Sequence, residues 1–297
     1  MATTTLFMTT ASSGARRVLF RFLRGAVLVY LSLLVLVTIF QRKLLFFPTV
    51  QTLADAEKDA VPLRLDAWRD KAGGLIGWKA DNAKAAKRLV VFHGNGGCAQ
   101  DRTAYVDGFG TLSGGAEWDV FLFEYPGYGA RPGHPGKSEI VTAGVAAVDA
   151  LLTEDSRPLF LLGESLGSGA ASVIIAKEQS KIAGAVMMIP FARTVEVAAK
   201  RMGWLPLRLL MLDQFDNVAA LNGYKGPVAF VIAEKDDVVG PEQGQLLYET
   251  FAGPKTRIVL SGATHNDFPN YEGAPWFRAV SDFLTLRPAL ETFPRVL

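Results

Sequence analysis

Gly163-Glu164-Ser165-Leu166-Gly167 is the segment of this sequence with the clearest chemical meaning. A serine bracketed by glycines as G-x-S-x-G becomes a nucleophile site when a strand runs into it and a helix runs out. Both conditions can be read here: PLFLL (158–162) is a short continuous apolar run, and LGSGAASVIIAKE (166–178) has a helical pattern. So tight a turn strains the serine backbone and lifts its hydroxyl clear of the sheet. Gly163 and Gly167 are expected beside it because the strand and helix backbones pass too close for side chains. The hydroxyl would also sit at a helix N-terminus, where developing negative charge is favoured. The predicted chemistry is attack of Ser165 on a carbonyl carbon.

A serine needs a base. The chain has three histidines, His93, His134 and His265. Where the nucleophile sits on a strand-to-helix turn, its partners follow in the order serine, acid, histidine. Only His265, in Gly262-Ala263-Thr264-His265, comes after Ser165. The acid should close a late strand, and PVAFVIA (227–233) runs into Glu234-Lys235-Asp236-Asp237. Asp236 is assigned, with Asp237 as the alternative; Asp213 and Asp216 read as surface or cap residues. The acid's task is to fix the imidazole tautomer, so it should be partly buried. His93-Gly94-Asn95-Gly96-Gly97 follows another strand, and its glycines would let backbone N–H groups approach a substrate oxygen. The oxyanion donors are therefore predicted to be the amides of Asn95 and Leu166. His93 and Gly94 are read as ordering that loop, not as a second base.

Other signals fail. Gly136-Lys137-Ser138 lacks the earlier glycine of a phosphate loop, since position 131 is arginine. No histidine or cysteine spacing suits a metal, so neither metal nor cofactor is expected. With 31 basic against 29 acidic residues the net charge is only +2, which argues against a nucleic-acid partner. One cysteine, Cys98, excludes an internal disulfide.

The elements that must position these residues follow from periodicity. VPLRLDAW (61–68) and GLIGWKA (74–80) read as an opening antiparallel hairpin. Six apolar runs follow, at 88–93, 119–125, 158–163, 181–189, 227–233 and 256–262, with helical patterns at 140–154, 166–178, 242–251 and 275–286. Runs apolar at every position suit strands buried on both faces, and the strand–helix alternation predicts a mostly parallel sheet flanked by helices. Residues 191–226 break the rhythm and read as a small cap whose apolar stretch, 202–212, could serve as a lid.

The N-terminal part differs in kind. Gly25–Phe40 is a charge-free stretch of 16 residues, and counting back to Val18 gives 23. As a helix the longer stretch spans ~35 Å, enough for a ~30 Å hydrocarbon layer, with Arg21 and Arg24 snorkelling at one end. One membrane helix is expected. The competing readings are a cleaved signal peptide, disfavoured by Gln41-Arg42-Lys43 after the run; a transit peptide; and a buried core helix. Four arginines precede the stretch and two cations follow it, which favours a cytoplasmic N-terminus with the remainder outside the cytosol, periplasmic or lumenal. The expected division is a tail and anchor over 1–47 and a catalytic domain over 48–297.

Taken together, Gln41-Arg42-Lys43-Leu44-Leu45-Phe46-Phe47-Pro48, HGNGG (93–97), EYPGYG (124–129), GESLGSG (163–169), EKDDVV (234–239) and GATHNDF (262–268) resemble the α/β-hydrolase superfamily. Within it they look like the membrane-anchored, bud-emergence-protein-like branch of serine hydrolases. The resemblance spans nearly the whole chain in order. It implies an α/β-hydrolase fold, a single-pass anchor and a triad of Ser165, Asp236 and His265. Two departures are Ala130-Arg131-Pro132-Gly133-His134-Pro135 after Gly129, and Gly240 where a proline is common. The expected activity is cleavage of a small or acylated ester or thioester through an acyl-enzyme, with the lipid bilayer as partner of the N-terminal helix. Amide cleavage of an aminopeptidase kind, or a non-catalytic membrane scaffold, are the alternatives.

Overall fold

The computed structural model describes residues 13–80, 82, 84–115 and 117–285. The expected tail before residue 13 and the end of the last predicted helix, at Leu286, lie outside the described residues. The chain forms two compact units that divide between Gln41 and Arg42.

The first unit consists of most of α1 (Ser13–Leu45). Gly14–Leu45 is long and apolar enough to cross a membrane, with a mean hydropathy of 2.3 over its best window. Large apolar side chains all round it are exposed, Phe22 at 74% and Val29 at 71% among them. A helix with apolar side chains exposed on every side suits a hydrocarbon surround.

The second unit is built on an eight-stranded sheet. Its strands are β2 (Asp66–Arg69), β3 (Leu75–Lys79), β4 (Lys87–Phe92), β6 (Trp118–Phe123), β7 (Leu159–Glu164), β8 (Gly184–Met188), β9 (Val228–Ala233) and β10 (Lys255–Leu260). Two short strands, β1 (Phe47–Pro48) and β5 (Gly96–Gly97), pair in parallel with each other apart from it. The order across the main sheet is β10-β9-β8-β7-β4-β6-β3-β2. The β2–β3 and β3–β6 pairs are antiparallel and the rest are parallel. Around it lie α2 (Leu53–Ala60), α3 (Thr103–Gly110), α4 (Lys137–Glu154), α5 (Leu166–Glu178), α9 (Pro241–Thr250) and α10 (Pro275–Thr285). The cap carries α6 (Thr194–Met202), α7 (Leu207–Leu210) and α8 (Asn217–Leu221).

The continuous apolarity of the inner strands has the expected cause. Val90 and Phe92 of β4 enter one core with Ile140, Ala170 and Ile174 of α4 and α5. Leu89 and Val91 enter a second core with Tyr105, Phe109 and Phe277 of α3 and α10. Side chains alternate across a pleat, so covering both faces requires every position to be apolar. The consequence is a sheet, covered on both faces, whose carboxyl edge carries the ends of β4, β7 and β9.

Outside the cap, α2 and α3 were not expected from periodicity. α2 is capped by Thr52, whose hydroxyl accepts the Asp55 N–H at 3.1 Å, a signal its eight residues were too short to reinforce. Asp213 is also a correction: instead of lying on the surface it is buried. Its Oδ2 accepts from Arg42 Nε at 3.0 Å and its Oδ1 from the Lys137 backbone at 2.8 Å, which compensates the burial of its charge. Asp216 is the N-cap of α8, accepting the Ala219 N–H at 2.9 Å.

Candidate active site

β7 ends at Glu164 and α5 begins at Leu166, so Ser165 is the whole of the turn between them. Its backbone is at φ 49°, ψ −112°, a region that side-chain-bearing residues rarely occupy. Strain of this kind costs of order 1–3 kcal/mol and persists only where the surroundings over-determine it. Here the Ser165 N–H donates to Met188 O at 2.9 Å, and Ser165 O accepts from the Ser168 N–H at 2.9 Å and the Ser168 hydroxyl at 2.6 Å. The flanking glycines have the expected reason. A Cβ on Gly167 would stand 1.9 Å from Phe92 O, and one on Gly163 would stand 2.4 Å from Gly167 O.

Ser165 and His265 are 100 residues apart in sequence, yet Ser165 Oγ lies 2.9 Å from His265 Nε2. His265 Nδ1 lies 2.8 Å from Asp236 Oδ2. Because a carboxylate only accepts, Nδ1 carries the proton and Nε2 presents its lone pair to the hydroxyl. Of the two candidate aspartates, Asp236 is buried and meets the ring, whereas Asp237 is exposed. The other carboxylate oxygen of Asp236 accepts the N–H groups of Val238 at 3.0 Å, Val239 at 2.8 Å and Gly240 at 3.3 Å. Gly240, at φ +94°, supplies a left-handed backbone there before Pro241 opens α9.

Burial acts to raise the Asp236 carboxyl, but the hydrogen bond and charge of His265 and the backbone donors outweigh it and hold it below the usual value of 3.8. A carboxyl depressed on folding adds stability that is fully present above its unfolded value and lost as pH falls through its folded one. The unfolding temperature of Asp236→Asn should therefore lie below that of the wild type at pH 6, and the gap should close below about pH 4. A gap that stayed constant from pH 6 to 2.5 would refute the linkage.

The second wall is the loop after β4. Leu166 opens α5, so its N–H has no partner within the helix. The turn and loop bonds of the described residues include none from the Asn95 N–H. His93 is buried, donates from Nδ1 to Gly94 O at 2.7 Å and holds Nε2 3.3 Å from Glu124 Oε1. It orders the loop and has no contact with Ser165 among the described hydrogen bonds. A Cβ on Gly94 would meet Glu164 Oε1 at 2.6 Å. Cys98 is buried, and burial, with Glu124 and Asp101 adding to it, pushes its thiol up to about 12, which removes it as a rival nucleophile.

Several supporting groups escaped the sequence reading. Glu164, inside the motif itself, accepts from Arg102 Nε at 3.0 Å and from the Tyr105 hydroxyl at 2.7 Å. Glu124 accepts the Ala99 N–H at 3.1 Å. Glu124 could have been noticed as an acid at the end of an apolar strand. Arg102 and Tyr105 carried no signal, since the α3 segment was not recognised as an element.

The apolar stretch of the cap divides. Leu205 and Leu207 are buried, whereas Trp204, Leu209 and Leu212 are 58%, 84% and 70% exposed. A hollow of about 280 Å³ lined by Val195, Ala199, Leu205 and Leu209 lies there, and none of Ser165, Asp236 or His265 lines it.

Comparison with known proteins agrees with this architecture. A family model described as serine aminopeptidase, S33, matches residues 83–215. An uncharacterized protein of Mycobacterium tuberculosis is 29% identical over 252 residues, covering 82% of this chain and 87% of its own length. Protein bem46 of Schizosaccharomyces pombe is 23% identical over 218 residues, covering 69% of this chain and 70% of its own. The solved structure of the Pyrococcus furiosus esterase Pf2001 superposes with a TM-score of 0.57 at 21% identity, over 80% of this chain and 95% of that one. The sheet order and the superposition give the chain the α/β-hydrolase fold, and its sequence is similar to the family of the matching model and to protein bem46.

Proposed function

We propose that this protein is a membrane-anchored serine hydrolase that cleaves carboxylic esters or thioesters through an acyl-enzyme. The observation that carries the reading is the continuous chain from Ser165 Oγ through the His265 ring to Asp236, at 2.9 and 2.8 Å. Ser165 Oγ attacks the substrate carbonyl as its proton passes to His265 Nε2, and Asp236 stabilises the imidazolium. The negative charge on the carbonyl oxygen is met by the N–H groups of Asn95 and Leu166. Collapse expels the alcohol or thiol, which takes the proton from His265. Water then adds to the acyl-enzyme by the same steps in reverse, releasing the acid and restoring Ser165.

Anchoring is supported by the length and all-round apolarity of α1, and the arginines at 16, 17, 21 and 24 against Arg42 and Lys43 favour a cytoplasmic N-terminus with the hydrolase unit outside the cytosol. A second reading, amide cleavage at a free N-terminus, is favoured by the description of the matching family model. The full-length protein is to be treated with a fluorophosphonate and assayed on p-nitrophenyl esters of rising chain length beside aminoacyl anilides. We expect one phosphonate adduct, on Ser165, and turnover of esters. Faster turnover of the anilides would select the second reading, and absence of an adduct on Ser165 would sink both.

A further inference from the structure

The loop that bears the Asn95 amide is glycine-rich on both sides, with Gly94, Gly96 and Gly97, and such a segment has little of its own to hold one conformation. Its ends are secured from within the hydrolase core. His93 is packed against Tyr125 and its carbonyl accepts the Tyr125 hydroxyl at 2.6 Å, while Ala99 is held by Glu124. The middle, residues 95–97, is held differently. Asn95 Nδ2 donates to Leu45 O at 2.5 Å, and Asn95 Oδ1 accepts the Phe47 N–H at 3.3 Å and the Tyr128 hydroxyl at 3.0 Å. Phe47 and Pro48 pair in parallel with Gly96 and Gly97, and the Thr49 N–H donates to Gly97 O at 3.0 Å. On its other side the same segment is gripped by Gly129, which donates to Thr49 O at 2.7 Å and accepts from Gln51 N at 3.0 Å. Among the described residues, the middle of the loop receives one further bond, from Arg102 Nη2 to Gly96 O at 3.3 Å.

Residues 45–49 are the chain immediately after the apolar stretch of α1. Phe46 is buried in the core, and Arg42, one turn earlier, is fixed to Asp213 of the cap and to Glu139 of α4 at 3.0 Å each. We propose that Leu45–Thr49 is a positioning element of the oxyanion hole: through the Asn95 carboxamide and the Gly96–Gly97 ladder it sets where the Asn95 amide points. The inference rests on the serine-hydrolase reading above and adds that the segment leaving the anchor is a working part of the catalytic site, not a tether. Binding of the substrate's acyl group does not depend on that amide, so loosening the segment should slow acylation while leaving KM in place.

The test uses the full chain and a short water-soluble ester. Thr49→Pro deletes one N–H from an exposed residue, and Asn95→Ala deletes the carboxamide while keeping the backbone amide. Each is expected to lower kcat about tenfold or more, part of the 10²–10³-fold that loss of an oxyanion donor brings, with KM within about twofold. Fluorophosphonate labelling of Ser165 should slow by the same factor. Wild-type kcat in Thr49→Pro, or a rise in KM with kcat unchanged, would overturn the proposal. Should Asn95→Ala fail to fold, Thr49→Pro, which leaves the Asn95 carboxamide in place, still decides the matter. Wild-type protein without Ser165-dependent turnover would defeat the serine-hydrolase reading itself, a result distinct from active wild type with equally active variants.

Discussion

Ester hydrolysis by Ser165→Ala is expected to fall at least about 10⁴-fold, with the fold unchanged. The substitution removes one oxygen from a partly buried residue and leaves the strained backbone at φ 49° held by the same bonds to Met188 and Ser168. Stability should therefore move by less than about 0.5 kcal/mol. His265→Ala should cost a comparable factor, because the hydroxyl 2.9 Å from Nε2 then has no base. The two groups act as one unit, so the double variant should be no slower than either single one. Steady-state kinetics on one p-nitrophenyl ester measure all three. A Ser165→Ala enzyme within tenfold of the wild type would remove the serine from the mechanism, and additive losses would separate it from the histidine.

Gly167→Ala should be the most damaging single methyl group in the molecule's elbow, destabilising the hydrolase unit by about 4 kcal/mol or more. The added Cβ would lie 1.9 Å from Phe92 O, 2.6 Å from Phe92 C and 2.8 Å from His93 O. All three are backbone atoms of the central strand β4 and the residue after it, so no side chain can rotate away. Either β4 shifts within a sheet that pairs on both its edges, or α5 tilts off the Ser165 turn. Gly110→Ala is the matched control: nothing lies within 4 Å of its added Cβ, and its stability should be nearly unchanged. Thermal unfolding of both variants decides the matter. Equal unfolding temperatures would mean that the strand–helix contact relaxes without cost.

What this sequence determined by itself is local in origin. Strands apolar at every position, helices of the right period, and a serine between two glycines are properties of neighbours a few residues apart. The order of Ser165, Asp236 and His265 could be read because each sits just past an apolar run, and strand ends of a parallel sheet share one edge. The choice between Asp236 and Asp237 was a different matter. They are adjacent, equally acidic and both past β9, and only the turn that buries one and exposes the other separates them. Asp213 was misjudged for the same reason: a polar residue in a broken stretch looks solvated until Arg42, 171 positions earlier, is brought against it. The Arg102–Glu164 bond and the pairing of Phe47–Pro48 with Gly96–Gly97 likewise join segments with no shared periodicity or spacing. Hydrophobic period and turn chemistry are written in each segment. Which distant carbonyl meets which N–H depends on the order in which the strands assemble, and that order is settled only when the whole core packs.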